Sequence, residues 1–373
     1  MATATLMDFL AGDALTELAR AYSNRPGLVR PLPAAFYTPG PTKPVGTTVK
    51  YRVVTGSRES ARVRNSNSPS ANVQGVETAE KKVVALGSRE NYTIDHEVIQ
   101  ALQWPGDLVR ARAAAEVNEQ SENFVGRFVS LRTNAVHSAL LRGKIDIATT
   151  GLIQTSTSSP SRTIDYGVPT GNQLTAAGGG STYAIGDWSS AATDIPGAIR
   201  EFKRYMSKTY GFTVTTAYYG VDVPGFLAKN TLFKEYLSRN PMFRDQFVST
   251  GMIPDGVLGL KWVDVGDATS VTDGTGTSFA ADNFLAFSPN PGDTSWYEFV
   301  ECGLAAPTGL ASESQIQQAM LSPEGLGAAF PIKYGVHSYS LMNADPISAK
   351  LIVGDYTAPI IKAPNAYAFG VCS

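Results

Sequence analysis

The residues able to do chemistry are few and poorly spaced for it. The chain has three histidines, His96, His137 and His337, and two cysteines, Cys302 and Cys372. His137 falls inside a long helical pattern, with no partner at the His-Glu-x-x-His spacing that puts two ligands on one helix face. His96 lies between Asp95 and Glu97 in a run that reads as a strand, where immediate neighbours point to the opposite face, so the trio makes no metal cluster. Gly178-Gly179-Gly180-Ser181 lacks the following Lys and Ser/Thr of a phosphate loop, and no Gly-x-Ser-x-Gly elbow occurs. Asp264, Asp267 and Asp273 lack the spacing and closing glutamate of a calcium loop. The two cysteines supply neither a disulfide framework nor a metal-ligand pair, which suits a reducing interior. No catalytic, cofactor-binding or metal-binding residue is assigned, and the chain reads as non-enzymatic.

Composition points to a protein that folds but does not bind polyanions as a whole. Hydrophobic residues make up 43% and charged residues 17%, enough to bury a sizeable core, and the net charge is −2. No secretory signal and no run of 18 apolar residues is found, which predicts a soluble protein made in the cytoplasm, with no membrane contact. Charge is uneven along the chain. Residues 50–94 hold Lys50, Arg52, Arg58, Arg62, Arg64, Lys81, Lys82 and Arg89 against four acids, whereas residues 254–301 hold eight acids against Lys261. Two ordinary solvated faces would account for this, and so would head-to-tail association of basic and acidic surfaces on successive copies.

The elements that must position these charges begin with an amphipathic helix over Thr5–Tyr22. A proline-rich run follows, with Pro31, Pro33, Pro39, Pro41 and Pro44 around Phe36 and Tyr37, and it reads as an extended arm lying across another surface. Thr47–Val54 alternates as a strand. Lys81–Leu86 and Asn91–Ile99 do likewise, and the polar tip between, Thr55–Gly75, cannot bury itself. From Trp104 to Gly143 the chain runs without proline after Pro105. Val117, Phe124, Phe128, Leu131, Ala135 and Ala139 form one apolar stripe, so a single long helix is expected, with Gly126 as its weak point. Helices are predicted for Gly197–Thr209, Pro224–Leu237 and Arg239–Val248. Strands are predicted at Phe212–Tyr219, Gly259–Val265 and Asn283–Ser288, with a hairpin between the last two, and the tail (Ala349–Val353, Thr357–Cys372) reads mostly as strand.

This order of elements resembles the major capsid protein of tailed bacteriophages, and within it the lambda-like major head protein family. Local matches are Trp188-Ser189 with Asp194-Ile195, Thr215–Gly220 followed by Gly225-Phe226-Leu227 and Leu232-Phe233, and Asp355–Ile361 with Pro364-Asn365-Ala366. At Glu80-Lys81-Lys82 the chain departs from the proline-containing turn that relatives often have. The resemblance implies an α+β tailed-phage capsid fold (Johnson fold): N-terminal arm 1–46, E-loop 47–95, peripheral domain with spine helix 96–150, axial domain 151–335, and a return to the peripheral domain over 336–373. It implies a subunit that assembles as pentamers and hexamers into the icosahedral head around double-stranded DNA, touched weakly and non-specifically. A separate scaffolding protein, a portal and a cementing or decoration protein would be its partners. The protein would reside in the virion after assembly in the host cytoplasm. Inter-subunit contacts are expected from Lys50, Arg52, Arg58, Arg62, Arg64, Lys81 and Lys82 of the E-loop, and from Pro31, Pro33, Phe36, Tyr37 and Pro39 of the arm. In some relatives an E-loop lysine is cross-linked to an asparagine. Lys81 or Lys82 with Asn343 or Asn365 could fill those parts, although ordinary surface roles fit them better. An encapsulin-type compartment shell is the alternative within the same fold, and a monomeric hydrolase or sugar-binding protein is the alternative outside it.

Overall fold

Alternating burial decides how this chain layers itself. The structure is a computed structural model that describes residues 32–54, 78–103, 107–155, 159–177, 182–265, 277–305, 310–312, 332–344 and 347–373. In chain order the first elements are β1 (Thr48–Val54), β2 (Thr78–Val84), β3 (Leu86–Ile94), α1 (His96–Gln103) and α2 (Asp107–Arg142). Next come β4 (Lys144–Ile147), β5 (Ile153–Gln154), β6 (Arg162–Asp165), β7 (Gln173–Thr175), β8 (Tyr183–Ala184) and α3 (Ile195–Thr209). These lead to β9 (Thr216–Tyr219), α4 (Val223–Lys229), α5 (Thr231–Ser238), α6 (Pro241–Thr250), β10 (Lys261–Asp264), β11 (Phe284–Ser288) and β12 (Tyr297–Glu301). The chain ends through β13 (Leu304–Ala305), β14 (Leu310–Ser312), β15 (Ile332–Lys333), β16 (His337–Ala344), β17 (Ile347–Ile361) and β18 (Ala368–Val371). The expected Thr5–Tyr22 helix and the Thr55–Gly75 tip lie outside the described residues.

Two sheets carry the architecture. The first, in the order β10-β9-β11-β18-β7-β8, is covered on both faces. Ala217, Tyr219, Leu285 and Phe287 face a core shared with Trp188, Phe202 and Phe233, while their neighbours Tyr218, Phe284 and Ala286 face a second core with Trp296 and Tyr367. The period of two therefore separates two cores rather than core from solvent, which is why these strands read in the sequence as unbroken apolar runs. In the second sheet β17 is the spine: β3 pairs along one side, and β16 and then β12 pair along the other, so that Thr357 pairs with Leu86 of β3 and with Glu301 of β12 at once. The expected hairpin from Asp267 to Thr277 lies outside the described residues but for Thr277, and β10 and β11 flank β9, with which both pair, and so are not neighbours in the sheet. Nor does the tail stay in one place. β17 belongs to the second sheet, but β18 crosses into the first, and β12 joins the second although it precedes residue 335.

Capping chemistry explains several helix boundaries. Asp194 accepts from the Gly197 N–H at 2.9 Å, ahead of α3 with Pro196 in its first turn. The predicted Pro224–Leu237 helix is two helices, since Asn230 is extended, caps the Phe233 N–H at 2.8 Å and donates to the Thr193 carbonyl at 2.8 Å. The predicted strand at Asn91–Ile99 ends at Ile94, and His96–Gln103 is helical, with the Ile99 N–H bonded to the Asp95 carbonyl.

The long helix α2 is continuous through Gly126 for 36 residues, about 54 Å at 1.5 Å per residue, and ends at Gly143 with φ +68°. The expectation of one apolar stripe fails in its last turns. Ala135, Val136, His137, Ser138, Ala139, Leu140 and Leu141 are all buried, because the helix end is enclosed on every side. Its outer half is different: a side chain added at Gly126 would meet nothing within 4 Å. Gly126→Ala should therefore stabilise the protein by about 1 kcal/mol through helix propensity. That would raise the melting temperature by about one to two degrees in calorimetry.

Candidate assembly surfaces

The basic hairpin is built so that its charges cannot turn inward. Val49, Tyr51 and Val53 of β1 and Val83 of β2 are buried in the main core, and Lys50, Arg52, Glu80 and Lys82 face solvent. The antiparallel register sets Lys50 directly across from Lys82 and Arg52 across from Glu80. Side chains so placed are neighbours, with Cβ atoms about 4.5–5.5 Å apart, so the Lys50–Lys82 pair brings two ammonium groups onto one patch. Lys81 points the other way and is already engaged, donating to the Tyr166 carbonyl at 3.0 Å. Arg162 donates to the Val84 carbonyl, fixing the hairpin base from the other side. Arg58, Arg62 and Arg64 lie outside the described residues.

The arm requires a correction. Residues 32–46 lie along their own chain, on the exposed edge of β12. Pro39 bridges Phe299, Val45 bridges Gly303, the Gly40 N–H donates to the Phe299 carbonyl at 2.8 Å, and the Gly46 N–H donates to the Gly303 carbonyl at 2.9 Å. The proline positions have no N–H to offer, so glycine and threonine supply the donors. Glu298, buried in β12, accepts from the Thr42 N–H at 2.7 Å and the Thr42 hydroxyl at 2.9 Å, and pairs with Lys362 at 2.5 Å. Burial by itself would raise the Glu298 pKa, but Lys362 and the Thr42 donors outweigh it and hold the carboxyl below its ordinary range. A Cβ at Gly40 would collide with the Glu298 side chain, which accounts for glycine there. Phe36 sits edge-on to Trp296 and Tyr297 with none of its surface exposed, and Tyr37 is buried as well. Neither can reach a neighbour from this position, so only the outer side of the arm, with Pro33 half-buried and Pro39 exposed, is free for contact. Pro31 lies outside the described residues.

Beneath these surfaces the long helix is bolted to both halves of the second sheet. Arg132 donates through Nε and Nη2 to the two Asp355 oxygens at 2.6 and 2.7 Å, and its Nη2 lies 3.0 Å from Glu301. Asp355 belongs to β17 and Glu301 to β12, so one guanidinium joins three elements. Charge along the sequence had counted Glu298 and Glu301 in an acidic surface, but both are engaged internally. Among the described residues the exposed acids of that stretch include Asp255, Asp282 and Asp293.

The histidines occupy structural positions. His96 is exposed. His137 is fully buried, shares a 3.0 Å hydrogen bond with the Tyr37 hydroxyl and meets Phe279 edge-on, so it links the arm to the long helix. Burial pushes its pKa down to about 3. His337 is likewise lowered, chiefly by burial, and contacts the Gly335 carbonyl at 3.0 Å. Burial raises both thiols, Cys302 to about 11 and Cys372 to about 12. Among the described residues no three histidine, cysteine or acidic side chains are grouped to hold a metal, and no helix is long and apolar enough to cross a membrane.

Two predictions follow from this chemistry. Removing Arg132 strands Asp355, which is 1% exposed, so Arg132→Met should cost about 3–5 kcal/mol in urea unfolding, whereas Arg127→Met, at the exposed Arg127–Glu90 pair, should cost under about 1 kcal/mol. His137 takes up a proton more readily unfolded, at about pH 6.5, than folded. Its contribution is therefore complete above pH 6.5 and is lost as pH falls toward 3. The urea midpoint should drop between pH 6.5 and 5, and should drop less in His137→Asn.

No protein-family model matches the chain, and no curated protein matches it. Solved structures do. A phage-related protein from Bordetella bronchiseptica RB50 is 12% identical, with 97% of each chain covered and a TM-score of 0.48. A prophage protein of Escherichia coli CFT073, described as a capsid protein, is 14% identical, with 96% of this chain and 99% of that one covered and a TM-score of 0.47. The mature capsid of bacteriophage PhiM1 is 11% identical, with 87% and 82% covered and a TM-score of 0.41. These three structures are phage proteins, two of them described as capsid, and each is matched over most of its length; a virus-like particle from Pyrococcus furiosus is similar too, at 10% identity, with 96% of this chain and 97% of that one covered and a TM-score of 0.38.

Proposed function

We propose that the chain is the major capsid protein of a tailed phage, a structural subunit that acts by repeated self-association and carries out no turnover chemistry. The observation that carries this reading is the hairpin. Its apolar face is buried in its own chain, while its outer face sets Lys50 against Lys82, a repulsive pair that favours a carboxylate brought by another molecule. The long helix, held at its buried end by Arg132, is the rigid member along which such contacts repeat. In this reading residues 47–95 form the loop that lies over the next subunit, residues 96–150 the peripheral domain, and residues 151–335 most of the axial domain. Copies assemble as pentamers and hexamers into an icosahedral head around double-stranded DNA, with separate scaffolding, portal and decoration proteins. The near-neutral total charge suits a wall that holds packaged DNA only weakly.

The test is charge reversal on the hairpin's outer face. Lys50→Glu with Lys82→Glu should leave the circular dichroism spectrum unchanged and abolish closed particles in negative-stain microscopy. Particles of normal number and size from this double variant would overturn the proposed interlock, and particles filled with cargo protein in place of DNA would overturn the phage assignment.

A further inference from the structure

The two margins of the second sheet are finished differently. At β12 the arm lies along the edge and supplies backbone partners. The opposite margin is β3, nine residues long, which among the described residues pairs only with β17. The pairing of β17 decides which of its backbone groups are left over. The Cys302 N–H donates to the Tyr356 carbonyl at 2.8 Å, and the Lys362 N–H to the Trp296 carbonyl at 2.7 Å. The even-numbered residues of β17 therefore turn toward β12 and β16, and the odd-numbered ones toward β3. Carried across the register, this leaves the N–H and C=O groups of Gly87, Arg89, Asn91 and Thr93 pointing away from the sheet. All four residues are exposed, and among the described residues no hydrogen bond reaches their backbone. Their side chains share the face turned from the long helix, since Glu90 and Tyr92 reach Arg127 and Glu116 on it.

We infer that this margin is a contact between two copies of the chain, in which β3 of one adds antiparallel to β3 of the other across a two-fold axis. The inference takes its occupant, a second copy, from the self-association proposed above, and adds the site and the register. A two-fold pairing that keeps most of the outward groups bonded is centred on Arg89, on Glu90 or on Asn91. The first sets Arg89 against itself and the second sets Glu90 against itself, and like charges directly opposite are destabilising. The third has no such clash. Asn91 meets Asn91 of the other copy, and its amide both donates and accepts. Arg89 meets Thr93, and Glu90, already paired with Arg127 at 2.8 Å, meets Tyr92. Asp95, exposed and next in the outward row, then stands diagonal to Arg89 at about 7–8 Å, a distance the arginine side chain spans. An arginine thus finds an aspartate twice across the axis. There is also room for the incoming strand end. A groove of about 970 Å³ borders Gly87–Glu90, and a Cβ at Gly126 on its wall would meet nothing within 4 Å. Two-fold pairing uses up both free margins and leaves none from which the sheet could grow.

Disulfide trapping on the full-length chain tests the site and the register, read on non-reducing denaturing gels after mild oxidation. Cys302 and Cys372 are buried, so the background is low. Antiparallel residues that exchange both backbone bonds have Cα atoms about 5.5 Å apart, within disulfide range. Asn91→Cys should therefore give a covalent dimer in about tenfold higher yield than Arg89→Cys, whose two copies stand about 13 Å apart along the strands. Joining Arg89→Cys with Thr93→Cys should restore the dimer. Adding Asn91→Pro to that pair should abolish it with the circular dichroism spectrum unchanged, because the Asn91 N–H serves the contact and not the fold. No dimer from Asn91→Cys would overturn the inference, as would equal trapping by Arg89→Cys alone or trapping that survives the proline. The gels are read whether or not particles form, so failure here is distinguishable from failure of the capsid assignment, which is read by microscopy.

Discussion

One buried guanidinium sets the geometry of this molecule. A helix of 36 residues has far more length than its buried end can hold, and only its last turns are enclosed. Arg132, at the border between the exposed and enclosed halves, is fixed by the planar fork it presents to Asp355 and by its contact with Glu301. Burial works against the charged form of Arg132, but the two carboxylates outweigh it and raise its pKa. Because Asp355 and Glu301 sit on adjacent paired strands, the angle between rod and sheet is set at one point, and a charge pair in low dielectric tolerates little sliding.

The arm shows a second use of burial. Three observations agree that residues 32–46 belong to the body: the backbone bonds to Phe299 and Gly303, the Glu298 clasp on Thr42, and the seating of Phe36 among Trp296 and Tyr297. The His137–Tyr37 bond then connects that arm to the long helix inside the core. Arm, helix and sheet thus form one mechanical unit, and a contact made on the outer side of the arm is transmitted directly to the long helix.

Much of this was legible in the residues. The Trp104–Gly143 pattern located the long helix to within a few positions, and Asp194 with Pro196 marked the start of α3, because capping and helix-stop chemistry are local. The alternation in Thr47–Val54 also told which hairpin residues face out. What could not be read were facts of pairing. Nothing local says that β9 separates β10 from β11, or that β18 leaves the sheet of β17. The proline-rich run was read as lying across another surface, which is correct, but its target in the same chain depends on Glu298, some 256 positions away. Glu298 and Glu301 looked like surface acids because charge counted along a chain carries no information about burial.

The proline content of the arm bears on solubility as well as on shape. Wherever identical chains are crowded together, an uncovered sheet margin invites strands to add without limit and form insoluble fibres. Here the margin at β12 is occupied by a segment whose outward backbone positions include Pro39 and Pro41, which have no amide hydrogen to give, so the last layer is a poor template for another strand. Any contact made on this side therefore has to run through side chains, which can loosen and re-form, whereas a shared backbone ladder would lock in place.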